Sequence, residues 1–256
     1  MAMDDREPDD QEPDDQESCT VIFRSADGVG VIEVNRPHVR NALDRTAQRE
    51  FDAALRAAEA DESLRCLVLT GAGGRALSAG WDLKELATLP PESESALLRE
   101  REEWLWRWFS TPLPTVAAMR GAAHGLGAYL AVCSDLRVGG PGTRFRITGT
   151  SYGYASLTWL LPDIIGHAHA TDVLFTGRVL DGTEAHRLGL FSRYVADDEI
   201  LATSVALAEQ VAALPGAGVR DAKRLMREHR TCALRERYDA ENRLLAADPR
   251  PARDLF

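Results

Sequence analysis

Apolar positions along the chain change their spacing several times, and each change marks an element. In CTVIFRSADGVGVIEVNRP, residues 19–37, two β-rich runs flank Asp27-Gly28, a dipeptide suited to a two-residue hairpin turn. In DRTAQREFDAALRAAEADES, residues 44–63, Phe51, Leu55 and Ala58 fall at helical spacing behind Asp44, a side chain suited to cap a helix N-terminus. RCLVLTGAGG, residues 65–74, is a short continuous apolar run closed by glycines and reads as a buried strand. Strand, helix and strand in that order imply a parallel crossover.

The pattern then repeats. ESESALLREREEWLWRWFSTP, residues 92–112, predicts a helix with Leu98, Trp104, Trp106 and Phe109 as its apolar residues, stopped near Pro112. TVAAMRG, residues 115–121, predicts a strand, GAAHGLGAYLAVCSD, residues 121–135, a glycine-opened apolar helix, and DLRVGG, residues 135–140, another strand. Beyond about residue 198, EILATSVALAEQVAALP, GAGVRDAKRLMREHR and CALRERYDAENRLLA each predict a helix. The chain reads as an acidic tail over 1–18, a βα-rich core over 19–197 and a helical region over 198–256.

Composition supports a large buried core, since 45% of 256 residues are hydrophobic. The net charge of −10 is mostly local: residues 1–18 hold nine acids against one base. The pentads DDREP, DDQEP and DDQES carry like charges and almost no apolar surface, which predicts disorder. Lys and Arg are scattered through the remainder, which argues against a nucleic-acid partner. Cys19, Cys66, Cys133 and Cys232 lie far apart, so neither a zinc site nor a disulfide framework is suggested. No basic leader precedes an apolar run and no segment approaches the length of a membrane helix, so a cytoplasmic protein with no membrane partner is expected.

Two loops carry the candidate chemistry. VLTGAGGRA, residues 68–76, matches G-x-G-x-x-A, yet LSAGWDLKEL follows with another glycine before a helix can start, which opposes a dinucleotide site. ALSAGWDLKEL, residues 76–86, and GAAHGLGAYLAVCSD each place small residues where a strand bends into a helix. Two such loops side by side aim two backbone N–H groups at one point, the arrangement an oxyanion requires.

These loops, with NRPHVRNAL (35–43), PLPTVAAMRGAAHGLGAYLAVCSDLRV (112–138) and LFTGRVLDGTEAHRLGLFSRYV (174–195), resemble the signature blocks of the enoyl-CoA hydratase/isomerase, or crotonase, superfamily. The resemblance runs from about Val21 to Val195. It implies an α/β fold, a spiral of ββα units with a C-terminal helical trimerisation region, assembled as a homotrimer or a dimer of trimers. It also implies an acyl-CoA thioester substrate whose carbonyl sits between the backbone N–H groups of Trp81 and Leu126. By that resemblance Ala79, Lys84, Arg40 and Tyr154 belong to the substrate-binding set, Lys84 near the CoA phosphates and Arg40 in the loop lining the adenine. No separate cofactor or metal is implied, because coenzyme A enters as part of the substrate.

The sequence also departs from that family. Family hydratases use two glutamates to handle the protons of water; the corresponding positions here fall at Tyr129 and, anchoring on Arg144-Phe145, at Gly149. Leu126 stands where glycine is common, and its amide serves as a donor provided its φ is negative. Tyr129 is the weak candidate for a catalytic side chain, since an unperturbed phenol with a pKa of about 10 is a poor base. Tyr129, Tyr152 and Tyr154 read as pocket-wall or core residues, His124 as a loop histidine beside the second donor, Asp163 as an exposed helix charge, and Asp82 and Asp135 as local hydrogen-bonding groups. The ending AADPRPARDLF is shorter than the family's usual tail. The expected function is an acyl-CoA thioester enzyme that stabilises an enolate, with decarboxylation or silent acyl-CoA binding as the alternatives.

Overall fold

The computed structural model describes residues 19–228, 234–236, 238, 239 and 242. The proposed disordered tail, Cys232 and much of the last predicted helix lie outside the described residues. The chain begins with a hairpin of β1 (Val21–Ala26) and β2 (Val29–Val34), joined by Asp27 and Gly28 at φ of +50° and +81°. Two successive positive φ values give the turn the twist of its flanking strands. Asp44 Oδ1 accepts from the Ala47 N–H at 2.8 Å and caps α1 (Arg45–Ala60). That helix buries Ala47, Phe51, Ala54, Leu55 and Ala58 as one stripe against the hairpin.

β3 (Cys66–Gly71) returns parallel to β2, as the crossover predicts. Its continuous apolar run has a physical cause: both faces are covered. Leu67 and Leu69 enter the core shared with α1, whereas Cys66 and Val68 pack under α8 (Ile200–Ala212) with Ile200, Leu207 and Ala208. The main sheet runs β1-β2-β3-β5-β7-β10, with β5 (Thr115–Met119), β7 (Leu136–Gly139) and β10 (Arg193–Tyr194) continuing in parallel.

A second sheet was not legible in the hydrophobic pattern. It is formed by β4 (Ala76–Ser78), β6 (Ala122–His124), β8 (Arg144–Arg146) and β9 (Leu180–Asp181). Its first three strands have only three residues each, too few to display a period of two. Each follows a main-sheet strand, and helices follow in turn: α2 (Leu83–Leu86) and α3 (Pro91–Ser110) after β4, α4 (Leu126–Cys133) after β6, and α5 (Leu161–Ile165) and α6 (His167–Thr176) after β8. Strand, short strand and helix therefore repeat, the ββα spiral expected of the fold. α7 (Gly182–Arg187) and α9 (Gly216–Glu228) complete the described helices.

α3 buries Leu97, Trp104, Leu105 and Trp108 more deeply than Leu98, Trp106 and Phe109. Trp104 and Trp108 meet Phe51 edge to face, with ring centroids at 5.1 and 5.3 Å, and the Trp108 indole donates to the Leu130 carbonyl at 3.0 Å. This aromatic cluster fixes α3 against both α1 and α4. Burial of one such aromatic contributes about 2–3 kcal/mol.

The helical end is pinned by one buried charge. Lys223 on α9 reaches Asp135 Oδ2 at 2.6 Å and the Leu113 carbonyl at 2.7 Å, while the same carboxylate accepts from the Thr115 N–H and hydroxyl. Burial pushes the Lys223 pKa down and Asp135 opposes the shift. Asp135→Asn is expected to lower unfolding free energy by about 3 kcal/mol, because it leaves an ammonium buried without its counter-charge. Urea titration checks this, and Asp135→Asn/Lys223→Met should recover part of the loss. Cys19 is exposed and Cys66 is buried, and burial raises the Cys66 pKa to about 12. No single helix among the described residues is long and apolar enough to cross a membrane.

Candidate functional site

The site grows out of the two bends that follow β4 and β6. Gly125, at φ +50° and ψ −115°, turns the chain into α4, so Leu126 begins the helix with an ordinary negative φ. Gly127 faces Ser78 so closely that an added Cβ would lie 2.5 Å from the Ser78 carbonyl oxygen. The first turn of α4 is thereby pressed onto β4.

Ser78 shapes the other bend, because its hydroxyl accepts from the Gly80 N–H at 3.1 Å. Leu43 then bridges this segment: its N–H donates to the Gly80 carbonyl at 2.8 Å and its carbonyl accepts from Asp82 N–H at 2.9 Å. The bridge skips Trp81. Among the described residues, no hydrogen bond within the chain takes up the Trp81 N–H or the Leu126 N–H. The two bends touch, since a Cβ on Gly80 would stand 3.4 Å from the Leu126 nitrogen.

A fully buried asparagine holds the neighbouring loop. Asn41 accepts from the Arg36 N–H and donates to the carbonyls of Ala72 and Ala76, and the Arg40 carbonyl accepts from Ala79 N–H at 2.9 Å. Arg36 pairs with Asp44 at 2.9 Å and with Asp82 at 3.1 Å. Asp82 also caps α2 through Lys84 N–H, so its carboxylate is committed to holding the bend.

These elements enclose a cavity of about 420 Å³ with predominantly apolar walls, among them Trp81, Leu86, Leu97, Leu105 and Ile147. Ala79, Lys84, Leu126, Tyr129 and Tyr154 also border it, with Lys84 exposed at its rim. Arg40 is exposed and lies outside the cavity wall. His124 likewise stays outside, and burial, followed by the charges of Arg146 and Arg40, pushes its pKa down. That favours neutral imidazole at neutral pH.

Tyr129 and Gly149, where the sequence reading placed the positions of the family's glutamates, both border the cavity. The Tyr129 hydroxyl accepts from the Trp159 indole at 3.2 Å. At Gly149 a Cβ would lie 2.3 Å from Ser156 Oγ and 2.9 Å from the Tyr154 carbonyl oxygen, so the loop as folded has no room for a side chain. Asp82 and Glu102 are the carboxylates bordering the cavity among the described residues. Asp135 is turned to Lys223 and Thr115, and Asp163 is an exposed residue of α5.

The sequence reading overlooked Arg101 and Glu102, which α3 brings to the cavity. A usable signal was present: Leu97, Arg101 and Leu105 recur every four residues, placing a cation inside an apolar helical stripe. Chemically, the arrangement offers two uncommitted backbone donors in residues that border an apolar cavity, and donors in such a setting can stabilise developing negative charge. No group of three or more His, Cys, Asp or Glu among the described residues is placed to hold a metal ion.

A family model for enoyl-CoA hydratase/isomerase matches residues 24–251. A probable enoyl-CoA hydratase of Rhizobium meliloti (strain 1021) is 33% identical over 232 residues, covering 88% of this chain and 88% of that protein. A 1,2-epoxyphenylacetyl-CoA isomerase of Escherichia coli (strain K12) is 29% identical over 221 residues, covering 84% of each. Among solved structures, an enoyl-CoA hydratase/isomerase from Xanthobacter autotrophicus Py2 superposes with a TM-score of 0.84 at 27% identity, covering 92% of this chain and 90% of that one.

Proposed function

The chain belongs to the enoyl-CoA hydratase/isomerase family, and on that premise we propose that it binds an acyl-CoA thioester and stabilises the corresponding enolate through the amides of Trp81 and Leu126. The observation that carries this reading is the pair of adjoining bends whose N–H groups are uncommitted at the cavity. Forming an enolate moves charge onto the thioester oxygen. Two fixed donors lower that barrier, one of them being worth about 3 kcal/mol. The start of α4 adds a favourable dipole.

Proton handling differs from that of a two-glutamate hydratase, because the cavity carries Tyr129 and Gly149 at the corresponding positions. This favours a second reading, decarboxylation of a carboxylated acyl-CoA. There the bond from the α-carbon to the carboxylate breaks, carbon dioxide leaves, and the electron pair remains as the enolate without any base. Solvent or a bordering hydroxyl then supplies one proton to the α-carbon. Lys84 at the rim and Arg40 in the tethered loop are the cations proposed for the coenzyme A portion. A homotrimer or dimer of trimers in the cytoplasm belongs to the same proposal.

The test is a panel of crotonyl-CoA, methylmalonyl-CoA and a saturated acyl-CoA in heavy water, followed by mass. Deuterium appearing at the α-carbon, or loss of carbon dioxide with deuterium retained, is the expected result. Binding without exchange or reaction would replace the enzymatic reading with that of a silent acyl-CoA binder.

A further inference from the structure

α3 turns Leu97, Arg101 and Leu105 toward the cavity, and the two leucines are core residues. Arg101 is therefore a cation mounted in an apolar wall, with its side chain 23% exposed. Its guanidinium stands over the Trp81 ring, Cζ lying 5.6 Å from the centroid. Its Nε is buried and has no hydrogen-bond acceptor among the described residues. The nearby carboxylate, Glu102 Oε1, is 3.8 Å from Nη2, beyond hydrogen-bonding distance.

Elsewhere the fold supplies a buried guanidinium with backbone acceptors. Arg137 gives Nε to the Leu190 carbonyl at 2.8 Å and Nη1 to the Ser134 carbonyl at 2.6 Å. Arg101 instead borders the cavity with its Nε lacking an acceptor, and a desolvated donor without an acceptor is unfavourable until a ligand supplies one. The planar fork of arginine matches a carboxylate in bidentate fashion, and its cation–π contact with Trp81 helps to hold the guanidinium in place.

We propose that Arg101 receives a carboxylate carried on the acyl group, so that the substrate class is a dicarboxylic acyl-CoA. The inference rests on the acyl-CoA reading of the cavity and adds a specificity determinant to it. Trp81 links the two parts, because its amide is assigned to the thioester oxygen and its ring carries the guanidinium that holds the far end of the acyl group. Glu102 is the competing anion, and its removal should strengthen the site.

The experiment measures dissociation constants by calorimetry for succinyl-CoA and glutaryl-CoA against butyryl-CoA and valeryl-CoA, using the full-length protein. The wild type is expected to bind the carboxylated thioesters at least tenfold more tightly. Arg101→Leu should erase that preference, Arg101→Lys should restore it only in part because the fork is lost, and Glu102→Gln should enlarge it. Equal affinity for carboxylated and neutral thioesters in the wild type would overturn the proposal while leaving the acyl-CoA reading intact. Failure to bind any acyl-CoA would remove the reading beneath it. Should Arg101→Leu not fold, the wild-type preference and the opposite effects of Arg101→Lys and Glu102→Gln decide the matter.

Discussion

Gly127→Ala is expected to reduce enolate formation by about 10²–10³-fold, the loss associated with removing an oxyanion donor, although no functional side chain is touched. The added methyl would meet the Ser78 carbonyl oxygen at 2.5 Å and the Ser78 Cβ at 2.8 Å. Backbone is the obstacle, so α4 must move off β4. That movement displaces the Leu126 amide directly. It also disturbs Ser78, whose hydroxyl holds the Gly80 N–H in the bend carrying Trp81. Both donors therefore shift together, and a displacement of about 1 Å suffices for a loss of this size. Stability should fall by about 1–3 kcal/mol, as for other overpacking substitutions.

The measurement is the rate of α-proton exchange at saturating thioester, set beside KM and thermal unfolding. A fall in rate with little change in KM would place the effect on the transition state. Gly218→Ala is the control, since nothing lies within 4 Å of a Cβ there and alanine favours a helix. If Gly127→Ala exchanged protons at the wild-type rate, the assignment of Trp81 and Leu126 as paired donors would be withdrawn.

The same glycine shows what the sequence disclosed and what it withheld. The bend at Gly125, the helix behind it and the crossover from β2 to β3 were readable because turn chemistry and apolar spacing are local properties. The Asp27-Gly28 hairpin and the Asp44 cap were readable for the same reason. The contact of Gly127 with Ser78 was not, because it joins residues 49 positions apart through β4, a strand only three residues long. Asn41 was hidden likewise: an asparagine in a loop gives no sign that it will be fully buried with partners 31 and 35 residues away. Arg101 differs, since its interruption of an apolar stripe is visible in the sequence, while the cavity that gives the interruption meaning exists only after α3 packs beside Trp81.

Hydration of crotonyl-CoA is expected to be at least about 10³-fold slower than in a relative carrying both glutamates, since a single positioned acid or base contributes roughly 10²–10⁴. The polarising half of the proposed machinery is retained, but water addition also needs a base to take a proton from the attacking water and an acid to deliver one to the α-carbon. Tyr129 offers a phenol in place of the first carboxylate, and Gly149 offers no side chain in place of the second. Tyr129→Glu alone should not restore hydratase turnover. Its partner would have to stand at Gly149, where Ser156 Oγ lies 2.3 Å from the place a Cβ would occupy. Loss of enoyl-thioester absorbance, compared between the wild type, Tyr129→Glu and a two-glutamate relative under the same conditions, provides the check. Turnover matching that relative would defeat the argument from Tyr129 and Gly149. It would direct substitution to Glu102, whose side chain is 13% exposed and borders the same cavity.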